Sequence, residues 1–203
     1  LEERQGRFEI EVKLSANTKV KHHVEVRDNF IQIELTDTFV WPKIEQFKRL
    51  NKLTGKKIKY VFGDIRDNSK LIKVIKENNI FSVIHLAALK SIEESVISPI
   101  EYYDVNVNGT ISLLKAMQSS EVKNLLFSSS ATIYGEPEYL PINEIHPLKA
   151  INPYGETKLI VENILKNISS ANKEWSITSL RYFNPIGAHD SGLIGDDPLA
   201  SKS

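Results

Sequence analysis

Tyr154 and Lys158 stand four residues apart in the segment Pro153-Tyr-Gly-Glu-Thr-Lys158. On a helix that spacing puts both side chains on one face. A free tyrosine titrates near pH ~10 and is a poor base at neutral pH. An ammonium group beside it stabilises the phenolate, so the pair makes a usable general acid or base. Structural helices carry the same spacing often, and its meaning comes from its surroundings. Upstream lies Phe127-Ser-Ser-Ser130-Ala-Thr-Ile-Tyr134-Gly135, at the end of an apolar run. A hydroxyl at Ser130 could share a proton with the tyrosine and a substrate. Taken alone, the same residues make a polar turn that caps a helix.

The elements that must position these groups follow from the hydropathy pattern. Val122 to Phe127 reads as a strand, with Ser128-Ser-Ser130 as the turn after it. Ligands of open α/β sheets bind at the carboxyl ends of strands. Asn152 as cap and Pro153 in the first turn open the helix of Tyr154 and Lys158. From about residue 42, strand-like and helix-like segments alternate, as in a doubly wound parallel α/β sheet. Ile44, Phe47, Leu50 and Leu53 mark one helix face, with Gly55 as its stop, and Ile58 to Phe62 a strand. Leu71, Ile72, Val74 and Ile75 mark a second helix. Ile80 to Ile84 is a nearly continuous apolar strand, as expected where both faces are covered. A long helix runs from Glu101 to Met117, and Trp175 to Phe183 is a last strand. Ile100, Leu113, Leu114, Leu159, Val161 and Leu165 read as core rather than interface.

Residues 1–41 fit this scheme poorly and are treated as an atypical N-terminal segment. Phe8, Ile10, Val12 and Leu14 alternate with charged residues, a half-exposed strand, and Phe30 to Leu35 is another. Residues 42–189 form the expected nucleotide-binding domain, and residues 190–203, rich in Gly, Asp and Ser, a loop that starts a further region. The chain begins without Met, which suggests a fragment or a processed start.

Composition narrows the function classes. Of 203 residues 41% are apolar and 26% charged, enough for a real core. Twenty-six Lys and Arg balance 26 Asp and Glu, which argues against a dedicated nucleic-acid surface. With no cysteine, disulfides, thiolate catalysis and Cys-based zinc sites are excluded. No stretch approaches the roughly eighteen apolar residues of a membrane span. The first residues lack the apolar core of a signal peptide, and a cytoplasmic protein is expected. His22-His23 has no matching ligands at a diagnostic spacing, so no metal site is expected.

From about Pro42 to Pro198 the chain resembles the extended short-chain dehydrogenases/reductases, and within them the UDP-glucose 4-epimerase (UDP-galactose 4-epimerase) family. The landmarks are Gly63-Asp-Ile-Arg66, His85-Leu-Ala-Ala-Leu-Lys90, Glu94-Ser95, Glu101-Tyr-Tyr-Asp104, Asn108-Gly-Thr110, the serine run, the Tyr/Lys pair, and Arg181-Tyr-Phe-Asn-Pro-Ile-Gly-Ala-His189. Sugar dehydratases of the superfamily carry acidic residues just after the catalytic Ser or Thr, whereas this chain continues Ala131-Thr132.

The resemblance implies a Rossmann-like fold, bound NAD, a UDP-sugar substrate and a homodimer. The implied reaction interconverts UDP-glucose and UDP-galactose by transient oxidation at C4. Tyr154 would take the proton of the 4-hydroxyl, with Ser130 sharing that hydrogen bond, and NAD+ would accept hydride from C4. The keto sugar would rotate, and hydride would return to its other face. Lys158 would hold the nicotinamide ribose and depress the tyrosine. Asp64 and Ile65 would contact the adenine side, and Leu86, Ala87, Ala88 and Lys90 would line the cofactor path. Phe183 would lie near the nicotinamide and Asn184 would bind the UDP diphosphate. His85 and His189 read as structural residues.

Against the family pattern, the first unit lacks a Gly-rich turn: before residue 55 the only glycine is Gly6. Aligning Asp37 with the ribose-binding acid would put the phosphate turn at Ser15 to Lys21, which holds no Gly. Val105 replaces an Asn that contacts the cofactor, and Asn106 beside it is expected to point elsewhere. The family also continues well past Ser203. The chain thus reads as an N-terminally aberrant, C-terminally truncated member. Two alternatives stand beside the active enzyme: a catalytically inactive remnant, and another NAD-dependent sugar-nucleotide epimerase, decarboxylase or dehydratase. A missing first strand would leave unpaired sheet edges.

Overall fold

The computed structural model describes the backbone of residues 7–13, 19–25 and 31–35, residues 52 and 55, and residues 59–184 and 190–192. Asp37, the helix expected over Ile44 to Leu53 and the Pro185 to His189 motif lie outside the described residues, as does most of the tail.

The alternating segment at the start forms an antiparallel hairpin of β1 (Arg7–Lys13) and β2 (Lys19–Glu25). Lys19 to Lys21, the end of the aligned phosphate turn, is therefore strand. β3 (Ile31–Leu35) pairs in parallel with β4 (Lys59–Gly63), Ile31 opposite Lys59. Next come α1 (Asn68–Glu77), capped by Asp67, and β5 (Ser82–His85). α2 (Ile92–Ile97) and α3 (Pro99–Tyr102) lead into a π-helical turn, Tyr103–Asn108, and α4 (Gly109–Ser119). β6 (Asn124–Ser130) is followed by a 3₁₀ turn, Ala131–Tyr134. α5 (Pro153–Ala171) and β7 (Ser176–Tyr182) complete the described elements. Asn152 caps α5 by accepting from the Gly155 N–H at 2.8 Å, with Pro153 in the first turn, as its sequence requires.

β5, β6 and β7 form a parallel sheet in that order. Its core face carries Leu125 and Phe127, on which Leu71 and Ile75 of α1, Leu113 and Met117 of α4, and Val161 and Leu165 of α5 converge. The expected core residues Leu113, Leu114, Val161 and Leu165 are buried, and Leu159 is half-buried. Ile100 is not: it is 84% exposed, beside exposed Val96 and Ile97.

Two further differences have clear causes. Ser128, Ser129 and Ser130 were expected in a turn, but they continue β6, opposite Leu180, Arg181 and Tyr182 of β7. The ladder satisfies their backbone groups, so the chain can stay extended as far as Ser130. The expected two-sided cover of the Ile80 to Ile84 strand also fails. Ile84 stands opposite Leu126, on the face away from the α1, α4 and α5 core, and is 52% exposed. Among the described residues β4 and β5 are not paired, so the parallel strands stand in two pieces, each with an open edge. Also among the described residues, no helix is long and apolar enough to cross a membrane.

Gly135 ends the 3₁₀ turn beside Ser130 at φ 65°, ψ −142°, a conformation close to glycine's own. A Cβ there would stand 2.0 Å from the Lys149 carbonyl oxygen. Strain and overlap act together, so Gly135→Ala is expected to cost about 3 kcal/mol or more of stability, read by urea denaturation. An unchanged midpoint would refute the assignment.

Candidate active site

The site is assembled at the carboxyl end of β6. Ser130, its last residue, is extended and caps the 3₁₀ turn. Tyr154 and Lys158 lie in the first two turns of α5. The structure brings the three together. Ser130 Oγ accepts from the Thr132 N–H at 3.2 Å and lies near enough to the Tyr154 phenol to influence its titration. The Lys158 ammonium lies 5.8 Å from the Tyr154 ring centroid and 5.0 Å from that of Phe127. It donates to the Ser128 carbonyl at 2.8 Å.

The electrostatics differ from the simple expectation. Burial pushes the Tyr154 phenol above its ordinary value, with Ser130 working in the opposite direction. Lys158 is only 4% exposed, and burial pulls its ammonium down to about 8. The cation that should depress the phenol is thus itself desolvated and committed to a carbonyl. In this arrangement burial outweighs the opposing effect of Ser130.

Asn106 is a residue that sequence reasoning undervalued. Buried in the π-helical turn, it accepts from the Leu89 N–H at 2.8 Å and donates to the Leu89 carbonyl at 3.0 Å. It also donates to Thr157 Oγ1 at 3.1 Å, and that hydroxyl donates to the Tyr154 carbonyl at 2.7 Å. The Asn106 carbonyl accepts from Thr110 Oγ1, which lies 2.8 Å from His85 Nε2. One amide therefore ties the loop after β5, the π turn and α5 together. Asn106 and Thr110, polar and four apart in an apolar helix, were the available signal. His85 is fully enclosed and pushed down to about 3 by burial, first, and by the charge of Lys158. It is a packed strand-end residue, as its sequence suggests.

The other expected residues follow the carboxyl ends of β4, β5 and β7. Asp64 and Ile65 follow β4. Arg66 binds both Asp64 and Asp104, and its hydrogen bonds hold both carboxyls below the usual range. The Ile65 side chain is in the core and only 4% exposed. Leu86 and Lys90 are exposed, and Ala87 and Ala88 half-buried, just past β5. Val105 is buried. Phe183, 60% exposed, and Asn184, also exposed, follow β7, whose Tyr182 lies opposite Ser130.

The sequence model of the family described as GDP-mannose 4,6 dehydratase matches residues 20–197. The chain is 48% identical over 164 residues to a UDP-glucose 4-epimerase of Dictyostelium discoideum, covering 81% of this chain and 48% of that protein. It is 50% identical over 167 residues to one of Yersinia enterocolitica, covering 82% and 50%. A crystal structure of UDP-glucose 4-epimerase from Bifidobacterium longum, in complex with NAD+ and UDP, superposes with a TM-score of 0.74 at 50% identity, over 77% of this chain and 47% of that one. The chain spans about half the length of the curated relatives it matches.

A buried ammonium whose folded pKa lies near 8, below its unfolded value of 10.5, carries a cost that is present at neutral pH. The cost is relieved as pH rises through 8 toward 10.5, because over that window the unfolded chain binds more protons. Between pH ~7 and ~10, the stability of the parent relative to Lys158→Met should rise, by on the order of 3 kcal/mol, in paired urea titrations. A difference independent of pH would refute the burial argument.

Proposed function

Because the chain belongs to the GDP-mannose 4,6 dehydratase family of extended short-chain dehydrogenases/reductases, and its relatives above are UDP-glucose 4-epimerases, we propose that it interconverts UDP-glucose and UDP-galactose with bound NAD. The observation that carries this reading is the placement of Ser130 at the carboxyl end of β6, with Tyr154 and a buried Lys158 in the first turns of α5 beside it. Dehydration is the lesser reading, since Ala131-Thr132 offers no acidic side chain after Ser130.

The described residues fit the cofactor's two ends. A buried ammonium beside a phenol is a costly arrangement that suits a nicotinamide ribose. Small Ala87 and Ala88 leave room along the path from β5, with Leu86 and Lys90 at its open side. Asp64 and the main chain of Ile65 would take the adenine side, Asp37 the other ribose, and Phe183 would border the nicotinamide. When bound, NAD supplies the hydride acceptor and donor.

This chain's own residues supply the proton chemistry and the orientation. Tyr154 accepts the proton of the sugar 4-hydroxyl and returns it to the 4-oxygen after the sugar has turned. Ser130 bonds the same oxygens and holds the hydroxyl in line. Binding must bring the phenol down from its buried value, and Lys158 is the near cation that can do so once its ammonium turns from Ser128. Asn184 orients the diphosphate. A second copy is the proposed partner: Ile92, Val96 and Ile100, spaced by four, are exposed together with Ile97.

The test incubates the purified chain with NAD+ and UDP-galactose. Expected is a product of unchanged mass that co-elutes with UDP-glucose, with the rate lowered on the order of 10³-fold in Tyr154→Phe. A product lighter by one water would favour the dehydratase reading. No conversion by a folded chain that binds NAD+ would overturn the activity.

A further inference from the structure

Arg66 is held more completely than its exposed position requires. Its N–H donates to Asp64 Oδ1 at 2.8 Å. Its Nε donates to both oxygens of the same carboxylate, at 3.0 and 3.1 Å, and its Nη2 donates to Oδ2 at 2.5 Å. Nη1 turns the other way and donates to Asp104 Oδ2 at 2.6 Å, and Asn108 Nδ2 donates to Asp104 Oδ1 at 2.9 Å. The main chain is fixed as well: the Arg66 carbonyl accepts from the Asn68 N–H at 3.0 Å and from Ser112 Oγ at 3.1 Å. A run of bonds therefore leads from the π turn, through one guanidinium, to the acid at the end of β4. Exposed ion pairs add little stability. What this one fixes is the direction of a carboxylate.

We propose that Arg66 is a positioning residue that aims the Asp64 carboxylate at an amino donor of the bound ligand, the exocyclic amine of the adenine ring in the reading given above. A carboxylate offers about four lone-pair sites on its two oxygens. On Oδ1 the main-chain N–H and Nε of Arg66 fill both. On Oδ2 Nη2 takes one, and the single Nε proton is shared across the pair. The site left open is on Oδ2, and the Asp64 side chain is 33% exposed. The Arg66 hydrogen bonds hold this carboxyl below its ordinary range, so the open site is a pure acceptor at neutral pH. An amine can donate to it. A ring carbonyl in the same place would face it acceptor to acceptor.

Asp104 gives the guanidinium its second fixed point. The two carboxylates repel each other, and the cation between them keeps both in place. A lysine at this position would keep the charge but not the planar fork that meets both acids. Asp104 and Asn108 belong to the π turn that also carries Asn106, and Asn106 reaches Leu89 and Thr157. The aim of Asp64 is thus referred to the same turn that holds α5.

The inference rests on the reading that Asp64 takes the adenine side of NAD, and its test separates the two. Calorimetry on the full chain measures affinity for NAD+ and for nicotinamide hypoxanthine dinucleotide, which carries a ring carbonyl in place of the amine. The parent should prefer NAD+ by about tenfold, the scale of one hydrogen bond to a charged group. Arg66→Ala should lose most of that preference, with NAD+ affinity falling and that for the hypoxanthine dinucleotide changing little. Asp104→Asn should lose part of it, and Arg66→Lys should not restore it. In the ligand-free chain, Arg66→Ala should also raise the Asp64 carboxyl titration, read by carbon-13 NMR. An equal loss of affinity for both dinucleotides in Arg66→Ala would be general loosening, and it overturns the proposal. A full preference in Arg66→Lys would reduce Arg66 to a charge and overturn its orienting role. A preference unmoved in Arg66→Ala but lost in Asp64→Ala overturns the role of Arg66 and leaves the contact of Asp64 standing. A parent with no preference, or one that binds neither dinucleotide, overturns the adenine assignment and the inference with it.

Discussion

The ion pair of Glu162 and Arg181 is the constraint on which the site depends. Glu162 lies one helical turn after Lys158, and Arg181 lies in β7 opposite Ser129. One carboxylate oxygen of Glu162 accepts from Ser129 Oγ at 2.5 Å and from Arg181 Nε at 3.1 Å, and the other accepts from Arg181 Nη2 at 2.8 Å. The remaining arm of Arg181 donates to the Tyr134 hydroxyl at 3.0 Å and the Glu144 carbonyl at 3.1 Å. Helix, two strands and the turn after Ser130 are thereby fixed to a single charge pair. Both partners are largely withdrawn from water, so losing either would strand the other. What the pair provides is register: residues 129 and 162 are held, and the reactive residues 130 and 158 follow from them.

A second network does the same work from the opposite side of α5. Asn106 reaches the Leu89 backbone only because the helix passes through a π turn there, which rotates its face. Thr157 completes the link beneath Tyr154. Both networks remove freedom from α5 at the turn where the phenol and the ammonium project, and a proton-transfer geometry needs that rigidity. Lys158 shows the other side of the balance. Its burial disfavours its own charged state, yet it lies beside the phenol in a place a core residue could fill. Such local conflicts mark functional positions.

The placement of the candidate site residues on α5 was legible in the sequence because it is local. Asn152-Pro153 starts α5, and the spacing of four puts Tyr154 and Lys158 on one face whatever else happens. The parallel order of β5, β6 and β7 likewise follows from alternating strands and helices. What the sequence hid is what depends on partners far along the chain. The serines read as a turn because nothing local shows that β7 will extend beside them to Tyr182. Ile65, expected to meet a ligand, is drawn into the core because Gly109 leaves room for its side chain, where a Cβ would stand 2.4 Å from Ile65 Cγ2. The high value of Tyr154 arises from burial, which no spacing rule reports. Ile84 and Ile100 look like core residues in any window, and their exposure follows from which helices pack on which face.

The division of the parallel strands into two pieces separates the two halves of the chemistry. Ser130, Tyr154, Lys158, Asn106 and the Glu162–Arg181 pair all belong to the β5–β6–β7 sheet and its helices, whose core joins them directly. Asp64 and Ile65 belong to the end of β4, which is not hydrogen-bonded to that sheet among the described residues. The gap is bridged through the segment after β4: Ile65 and, on α1, Leu71 and Ile75 pack in one core with Leu113 and Met117 of α4. Asn68 Nδ2 donates to the Ser112 carbonyl at 2.8 Å, and Ser112 Oγ donates to the Arg66 carbonyl at 3.1 Å. Arg66 also reaches Asp104 in the π turn at 2.6 Å, a half-exposed ion pair of the kind that contributes little. The strand pieces are therefore joined not by a ladder but by buried packing of α1 on α4, and the position of Asp64 relative to the Tyr154 site depends on that helix pair.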